Sequence, residues 1–219
     1  MKAVATVEER RSGVTVVDLG AGTTTMTTYV RGRLVKLQTL TIGGRQLTQH
    51  VATALQVPFA SAERIKLECA TVGAAHVDKA VASTHRFDSG SKADLRQTLD
   101  LPLHSTAAMR GALSEIDSPQ IDTVLRHVVE HVDAASTAAA HSGLVVLTGG
   151  GSQLDGVLGY AARILGRAVR SGRPEALAGI GSMGVPCFAA VSGLVAMAGR
   201  PEFGSPQFGS TSVTRRCVA

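Results

Sequence analysis

A turn rich in glycine and threonine follows an acidic residue near the start of the chain. Asp18 precedes Gly20, Gly22, Thr23 and Thr24, between two β-branched runs that each predict a strand. Glycines let backbone amides approach a phosphate closely, and the threonine hydroxyls would add two donors. A carboxylate beside a phosphate requires a cation between them, so Asp18 is predicted to orient a Mg²⁺-bound water. The pattern predicts a phosphate-binding turn, with a plain β-hairpin turn as the alternative.

A second glycine cluster lies between a predicted strand and a predicted helix. Gly149, Gly150 and Gly151 follow the apolar run 144–147 and precede Ser152. We expect a helix to begin at once, with Ser152 as its N-cap. Amides at a helix N-terminus favour an anionic ligand. The cluster therefore either presents amides to a ligand or only lets the helix pack closely on the strand.

An acidic and a basic residue share one face of a predicted helix. Glu63 and Lys66 are three residues apart in the segment 62–71, for which Ser61 is the expected N-cap. Their side chains could hydrogen-bond the two vicinal hydroxyls of a ribose. A surface ion pair is the alternative reading of the same spacing.

Other motifs would assign a different chemistry. His127 and His131 form a His-x-x-Glu-His pattern on a helix predicted to begin at Pro119. Two histidines one turn apart could ligate zinc, so a zinc metalloprotease is a remote alternative to a solvated helix face.

Two common nucleotide-binding loops do not fit the first turn. The chain lacks Gly-Lys-Ser/Thr, and a strand rather than a helix follows the first turn. These features exclude a Walker loop and a Rossmann turn.

Composition narrows the class of protein further. The chain has 219 residues, 44% of them hydrophobic and 18% charged, which is typical of a folded domain. Aromatic residues make up 3%, too few for stacking platforms, so no nucleic-acid partner is expected despite the net charge of +5. Three widely spaced cysteines match no metal or redox motif, which suits the cytoplasm.

The order of the predicted elements indicates an α/β protein. Residues 13–42 are predicted to form a β-meander of three strands, with helices following it. Short possible strands lie near 79–87 and 98–101. The tail, 201–219, is rich in Gly, Ser, Pro and Thr and is predicted to be disordered.

The three elements in this order resemble the second half of an actin-like ATPase. Within that superfamily the chain is most similar to the FtsA family of bacterial cell division. In that fold the first turn corresponds to a phosphate loop, and 148–152 corresponds to the adenosine loop. The matching stretches are 13–24, 42–48, 62–66, 145–154 and 169–174, and 188–194 resembles the family's closing helix.

The resemblance implies a fold and a division of the chain. Residues 1–44 and 141–200 would form an actin-like, ribonuclease H-like subdomain, with a β-meander and flanking helices. Residues 45–140 would form an inserted, smaller α/β subdomain that binds a partner. The glycine-rich turns and the Glu63–Lys66 pair would then surround ATP with Mg²⁺.

The resemblance also implies a scaffold rather than an enzyme. FtsA-like proteins bind ATP, assemble into actin-like filaments and link the FtsZ ring to the membrane. The implied partners are the FtsZ C-terminal tail, further copies of the chain and other divisome proteins. The implied location is the cytoplasmic face of the inner membrane at the division site.

Three departures from the family pattern modify these expectations. The family's N-terminal half is missing from this sequence, so we expect weak ATP binding and no hydrolysis unless that half completes the cleft. Thr25 replaces the family's usual Asp, and Ala21 a frequent Gly. The segment 205–219 has no apolar face at helical spacing, so direct membrane binding through it is not expected.

A second actin-like scaffold is the main alternative. PilM-like components of type IV pilus assembly share the Gly-Gly-x-x-Leu-Thr pattern, which here is 43–48, and the Ala-Glu-x-x-Lys pattern, which here is 62–66. The sequence around 147–154 and the Arg-Ser-Gly-Arg-Pro stretch at 170–174 favour the FtsA family.

Overall fold

A mixed five-stranded sheet lies at the centre of the structure, a computed structural model that describes residues 3–70, 72, 106–136, 143–174 and 184–198. Its strand order is β3-β2-β1-β4-β5. The first three strands form the predicted antiparallel meander, and β4 and β5 add to it in parallel. The strands are β1 (Val14–Leu19), β2 (Thr24–Val30), β3 (Arg33–Leu40), β4 (Leu144–Thr148) and β5 (Val169–Ser171).

Helices cover both faces of this sheet. Two short 3₁₀ turns, Gly150–Gln153 and Pro186–Phe188, accompany them. The helices are α1 (Val7–Ser12), α2 (Gly44–Leu55), α3 (Phe59–Cys69), α4 (Thr106–Ser136), α5 (Val157–Leu165) and α6 (Ala189–Ala198).

The main core lies between the sheet and the helices α4 and α5. From Ile121 to Val132 the buried apolar residues of α4 recur at spacings of three and four, so this part of the helix turns one apolar face to the sheet. Each fully buried aliphatic side chain stabilises the fold by roughly 1.5–3 kcal/mol. The core includes Val17, Met26 and Leu147 from the sheet, Val124, Leu125, Val128 and Val132 from α4, and Ala161 and Leu165 from α5.

A smaller core lies on the opposite face, where α6 and the segment before α1 cover β1 and β4. Arg170 of β5 fastens α1 to this face. Its Nε and Nη2 donate to the two carboxylate oxygens of Glu9 at 2.7 and 2.6 Å, and Nη2 also donates to the Val4 carbonyl at 2.9 Å. The hydrogen bond from Arg170 lowers the pKa of Glu9.

Two predicted helix starts are wrong. α3 begins at Phe59, with Pro58 at the N-cap position, rather than after Ser61. The connection from α2 is therefore shorter than expected. α4 begins at Thr106 and continues through Pro119. A proline inside a helix removes one backbone hydrogen bond, and the turns on either side of it continue here.

The predicted division of the chain stays a prediction. The described part of 45–140 consists of α2, α3 and α4, and the second half of α4 shares its core with the sheet. The predicted strands near 79–87 and 98–101 and the tail 201–219 lie outside the described residues. None of the helices in the described ranges is long and apolar enough to cross a membrane.

A buried histidine joins α4 to the meander. His131 is inaccessible to solvent, with Nδ1 3.1 Å from Oε1 of Gln38 and Nε2 3.0 Å from Oγ1 of Thr28. Lys36 places its Nζ 3.4 Å from the His131 carbonyl oxygen. Burial, reinforced by the charge of Lys36, lowers the pKa of His131 to about 4. The imidazole is therefore neutral in the folded protein at pH 7.

This environment predicts that acid destabilises the fold through His131. The pKa is 6.5 for an ordinary histidine and about 4 in the folded chain. The stabilisation from the neutral imidazole is therefore complete above pH 6.5 and is lost progressively as the pH falls from 6.5 through 4. The full shift corresponds to roughly 3 kcal/mol. Urea unfolding followed by circular dichroism across this window measures the loss.

Two variants test whether the loss of stability in acid comes from His131. His131→Gln keeps a hydrogen-bonding side chain without a titrating ring, so its free energy of unfolding should fall less in acid than that of the wild type. His127→Gln, one turn earlier in α4, is the matched control and should retain the wild-type loss. Equal acid sensitivity of the wild type and His131→Gln would contradict the prediction.

Candidate functional site

The two glycine-rich turns lie at the same edge of the sheet, the one formed by the carboxyl ends of β1 and β4. β1 and β4 are adjacent and parallel, and Asp18 is in register with Thr148. The chain therefore leaves both strands side by side, with Leu19 entering the first turn and Gly149 entering the second. This edge, at the carboxyl ends of the parallel strands, is where α/β sheets commonly bind ligands.

Gly149 allows the two turns to touch. Its φ is +83°, in the left-handed region that favours glycine. A Cβ at this position would lie 2.3 Å from Oδ1 of Asp18 and 2.6 Å from the Leu19 carbonyl oxygen. Any side chain would thus collide with the first turn. The glycine lets the carboxylate of Asp18 lie directly against the backbone of the second turn.

The carboxylate of Asp18 is half-buried and accepts no hydrogen bond from the described residues. Burial raises the pKa of Asp18. A half-buried carboxylate without a donor is a suitable acceptor for water molecules around a divalent cation. The donor set therefore fits a Mg²⁺ ion held through water at this place.

The first turn presents one threonine outward and buries the other. The Gly20 amide donates to the Thr23 carbonyl at 2.9 Å and closes the turn, leaving Gly22 and Thr23 exposed. Thr24 is fully buried, and its hydroxyl donates to the Ile42 carbonyl at 2.8 Å. Thr23 is thus free to meet a ligand, whereas Thr24 joins the turn to the end of the meander.

The second turn differs from the prediction at its helix. Gly150–Gln153 form a 3₁₀ turn, and α5 begins only at Val157, after Gly156. The expectation that a helix begins at once is therefore wrong. Ser152 is buried, and its hydroxyl donates to the Gly149 carbonyl at 2.8 Å, so it stabilises the turn rather than capping an α-helix. Gly150 has open space where a Cβ would lie.

The N-terminus of α2 supports the first turn, a contact that the sequence reading missed. The Gly44 amide donates to the Gly20 carbonyl at 2.9 Å, and the Arg45 amide donates to the Ala21 carbonyl at 2.7 Å. A Cβ on Gly43 would lie 2.6 Å from the Gly20 carbonyl oxygen. The Gly43–Gly44 pair that ends the meander could have predicted this contact, because two backbones that approach each other so closely require glycine.

Lys66 and Glu63 form a polar cluster with the start of α2. Lys66 is 7% exposed, and its Nζ donates to the Glu63 carboxylate at 2.8 Å, to Thr48 Oγ1 at 2.9 Å and to the Gly44 carbonyl at 3.2 Å. Burial acts to raise the pKa of Glu63, but hydrogen bonds from Lys66 and Thr48 outweigh it and lower that pKa. The cluster is more than a surface ion pair, because the ammonium group is enclosed.

The predicted site residues form one connected set. Lys66 contacts the Gly44 carbonyl, the Gly44 amide contacts Gly20, and the first turn contacts Gly149 and Gly151. An apolar crevice lies where these segments meet α4. Its lining includes Leu19, Gly20, Gly44, Leu47, Ile121 and Gly151.

The zinc alternative is wrong. Both ring nitrogens of His131 have hydrogen-bond partners in the core, and Nδ1 of His127 lies 2.7 Å from the Thr123 carbonyl oxygen. His131 is fully buried, so it does not face a site that a substrate could enter. Among the described residues no group of three potential ligands is placed to hold a metal ion.

Solved structures with the same fold are actin-like proteins. The PilM–PilN type IV pilus biogenesis complex aligns with a TM-score of 0.60 and 18% identity, covering 89% of this chain and 48% of that one. MreB5 of Spiroplasma citri bound to AMPPNP aligns with a TM-score of 0.58 and 14% identity, covering 87% and 54%. These similarities establish an actin-like fold.

Sequence comparison gives the family. The family model for Cell division protein FtsA matches residues 15–193. Cell division protein FtsA of Rhizobium meliloti is 28% identical over 196 residues, covering 86% of this chain and 41% of that protein. FtsA of Neisseria meningitidis serogroup B is 27% identical over 218 residues, covering 98% and 50%. The chain thus spans two-fifths to one-half of the length of these relatives, and it belongs to the FtsA family of cell-division proteins.

Proposed function

We propose that this chain is an FtsA-like, actin-related scaffold that binds ATP with Mg²⁺ and links the FtsZ ring to the cytoplasmic membrane. The observation that supports it best is the meeting of three predicted nucleotide-binding elements at one sheet edge, with Asp18 against Gly149 and Lys66 joined to Gly20 through Gly44. The MreB5 structure with AMPPNP shows that a protein of this fold binds a nucleotide.

The proposed roles follow from which groups face outward. Backbone amides around Gly22 and the Thr23 hydroxyl would contact phosphate oxygens, with Asp18 orienting water on Mg²⁺. Gly150 and the open face of its turn would accept the adenosine part. Glu63, whose carboxylate is partly exposed, would accept hydrogen bonds from ribose hydroxyls.

The remaining predicted residues would position these groups rather than touch the nucleotide. The polar groups of Thr24, Lys66 and Ser152 are engaged inside the protein. Their contacts fix the two turns and α3 relative to one another. The site would therefore be organised before a ligand arrives, which reduces the entropy lost on binding.

We further propose that the chain holds nucleotide without turning it over rapidly, so that its role is that of a scaffold. The described residues would form one wall beside bound phosphates, and strong electrostatic catalysis requires groups on several sides of the transferring phosphoryl group. α6 offers a surface on which the rest of the fold found in the relatives could pack. It buries Ala189 and Ser192 but leaves Leu194 67% exposed and Val191 47% exposed.

The proposed partners are those of a divisome scaffold. They are the C-terminal tail of FtsZ, further copies in an actin-like filament, and other division proteins at the cytoplasmic face of the inner membrane. The FtsA family match over 15–193 supports this choice. A PilM-like role in pilus assembly is the second candidate, favoured by the structural similarity to the PilM–PilN complex.

Asp18→Asn should weaken Mg²⁺-dependent ATP binding by about tenfold, or about 1.4 kcal/mol. The amide has no charge to attract a hydrated cation, whereas the shape of the turn is retained. The affinity is measured by nuclear magnetic resonance titration with ATP, in excess Mg²⁺ and in EDTA. For the wild-type chain alone we expect affinity weaker than micromolar and a clear gain from Mg²⁺.

Glu8→Gln is the matched control, because Glu8 is an exposed carboxylate on α1, which precedes β1 and lies at the opposite end of that strand from the first turn. It should bind Mg²⁺-ATP as the wild type does. Equal Mg²⁺ dependence in Asp18→Asn and the wild type would remove Asp18 from the metal site. No binding by the wild type at millimolar ATP would contradict nucleotide binding by this chain.

The chain should sediment with FtsZ filaments through the FtsZ tail. Polymerised FtsZ is pelleted with and without the chain, and FtsZ lacking its C-terminal tail serves as the control. We expect the chain in the pellet only when the tail is present. Absence from both pellets, together with binding to an inner-membrane pilus component, would replace the FtsA-like proposal by the PilM-like one.

A further inference from the structure

The tight turn between β2 and β3 carries two arginines at the end of the sheet that lies away from the candidate site. Arg31 and Gly32 form the turn with φ of +51° and +76°, and Arg33 pairs with Val30 across it. Two consecutive left-handed residues are typical of a type I′ hairpin turn, in which asparagine or glycine is the usual first residue. Arg31 thus adopts a backbone conformation that is unfavourable for an arginine, while its side chain is exposed. This combination is typical of a residue kept for its side chain rather than for its fit to the turn.

Helix α1 brings two further arginines to this turn. The Arg31 amide donates to the Arg11 carbonyl at 3.0 Å, and the Gly32 amide donates to the Arg10 carbonyl at 2.8 Å. These bonds satisfy carbonyls that the end of a helix leaves without an internal donor. The backbone therefore holds four arginines together in what we call the arginine patch, which consists of Arg10, Arg11, Arg31 and Arg33.

The patch retains its positive charge. Among the described residues, no carboxylate forms an ion pair with Arg11, Arg31 or Arg33, and all three are exposed. Of the two acidic residues on α1, Glu9 is paired with Arg170. The other, Glu8, balances only part of the charge of four guanidinium groups. The patch is therefore suited to an anionic partner.

Exposed aliphatic side chains lie beside the arginine patch. Val7 is 49% exposed and lies one helical turn before Arg11, on the same side of α1. Leu34 is 54% exposed and pairs with Tyr29, whose side chain packs against the segment that leads into α1. Because paired residues share a face of the sheet, Leu34 lies on the same side of the sheet as that segment. The surface thus combines cations with apolar side chains.

We propose that the arginine patch, together with Val7 and Leu34, binds the anionic surface of a lipid bilayer. The guanidinium groups pair with phosphate oxygens of the lipid headgroups. The aliphatic side chains enter the boundary between the headgroups and the acyl chains. This inference deepens the membrane link of the proposed function and rests on it for its setting. It assigns that link to α1 and the β2–β3 turn, and does not require the segment 205–219.

The aliphatic side chains favour a bilayer over a nucleic acid as the anionic partner. The phosphates of a DNA duplex would satisfy the arginines but would leave Val7 and Leu34 in water, whereas a bilayer accepts both kinds of group. The position of the patch also suits a bilayer. It lies at the start of β1, and Asp18 and the first turn lie at the end of that strand. A bilayer held at the patch would therefore leave the candidate nucleotide site accessible.

Arg31→Asn combined with Arg33→Gln should weaken binding of the full chain to anionic vesicles by about tenfold or more, because each arginine beside such a surface contributes about fivefold. Asparagine suits the first position of a type I′ turn, so the hairpin should be retained. Binding is measured by sedimentation with sucrose-loaded vesicles of phosphatidylglycerol and phosphatidylcholine, and of phosphatidylcholine alone, without ATP or FtsZ. The wild type should bind only the anionic vesicles, and added salt should weaken this binding.

Two further variants separate the patch from net charge and from charge altogether. Arg64→Gln combined with Arg126→Gln is the matched control, because it removes the same charge from exposed arginines of α3 and α4. This control should bind anionic vesicles as the wild type does. Leu34→Ser keeps every charge and removes an apolar contact, so it should weaken vesicle binding several-fold.

Four results would each overturn the proposal. They are a wild-type chain that does not bind anionic vesicles, equal binding by the wild type and the Arg31/Arg33 variant, an equal loss in the Arg64/Arg126 control, and tighter binding to a random DNA duplex than to the vesicles. Far-ultraviolet circular dichroism verifies that each variant is folded. If the Arg31/Arg33 variant is unfolded, Leu34→Ser decides the question, and wild-type binding by it would overturn the proposal. Sedimentation with FtsZ but not with vesicles would remove the membrane site and leave the FtsZ-binding proposal intact.

Discussion

The close approach of Gly149 to Asp18 is the contact on which the candidate site depends. Parallel pairing of β1 with β4 brings the ends of the two strands together, and the missing side chain at Gly149 lets their turns touch. A Cβ there would displace either the Asp18 carboxylate or the Leu19 carbonyl. Moving Leu19 would shift the first turn, and with it the carbonyls that accept hydrogen bonds from the start of α2. One glycine thus fixes the relative positions of three segments.

The polar residues around this contact divide into two groups by the direction they face. Thr24, Lys66 and Ser152 are buried and hydrogen-bonded within the protein, as buried polar groups generally are. Thr23 and the carboxylate of Glu63 remain accessible. The sequence motifs predicted all of these residues as ligands. In the structure only some of them face outward and could bind a ligand, and the others support them from inside the protein.

Local patterns predicted the parts of the fold that local chemistry determines. The β-branched runs and the turns between them predicted the meander, and the spacing of the glycines predicted both corners. The start of α4 was missed because a proline usually begins a helix, whereas Pro119 lies inside this one. The surroundings of His131 were missed for a different reason. Its partners, Thr28 and Gln38, lie 103 and 93 residues away, and such contacts leave no trace in a local motif.

The buried histidine and the open edge of the sheet are two consequences of one arrangement. His131 requires hydrogen-bond partners because it is enclosed, and β3 supplies Gln38 while Lys36 reaches the backbone of the same residue. Since side chains alternate along a strand, Leu37, opposite Thr27, lies on the other face, whereas Val35 is the extra residue of a bulge between the Lys36–Thr28 and Leu34–Tyr29 pairs. The helix beneath the sheet therefore sets the chemical character of the edge. On β3 the charge that stays exposed is that of Arg33, at the first residue of the strand.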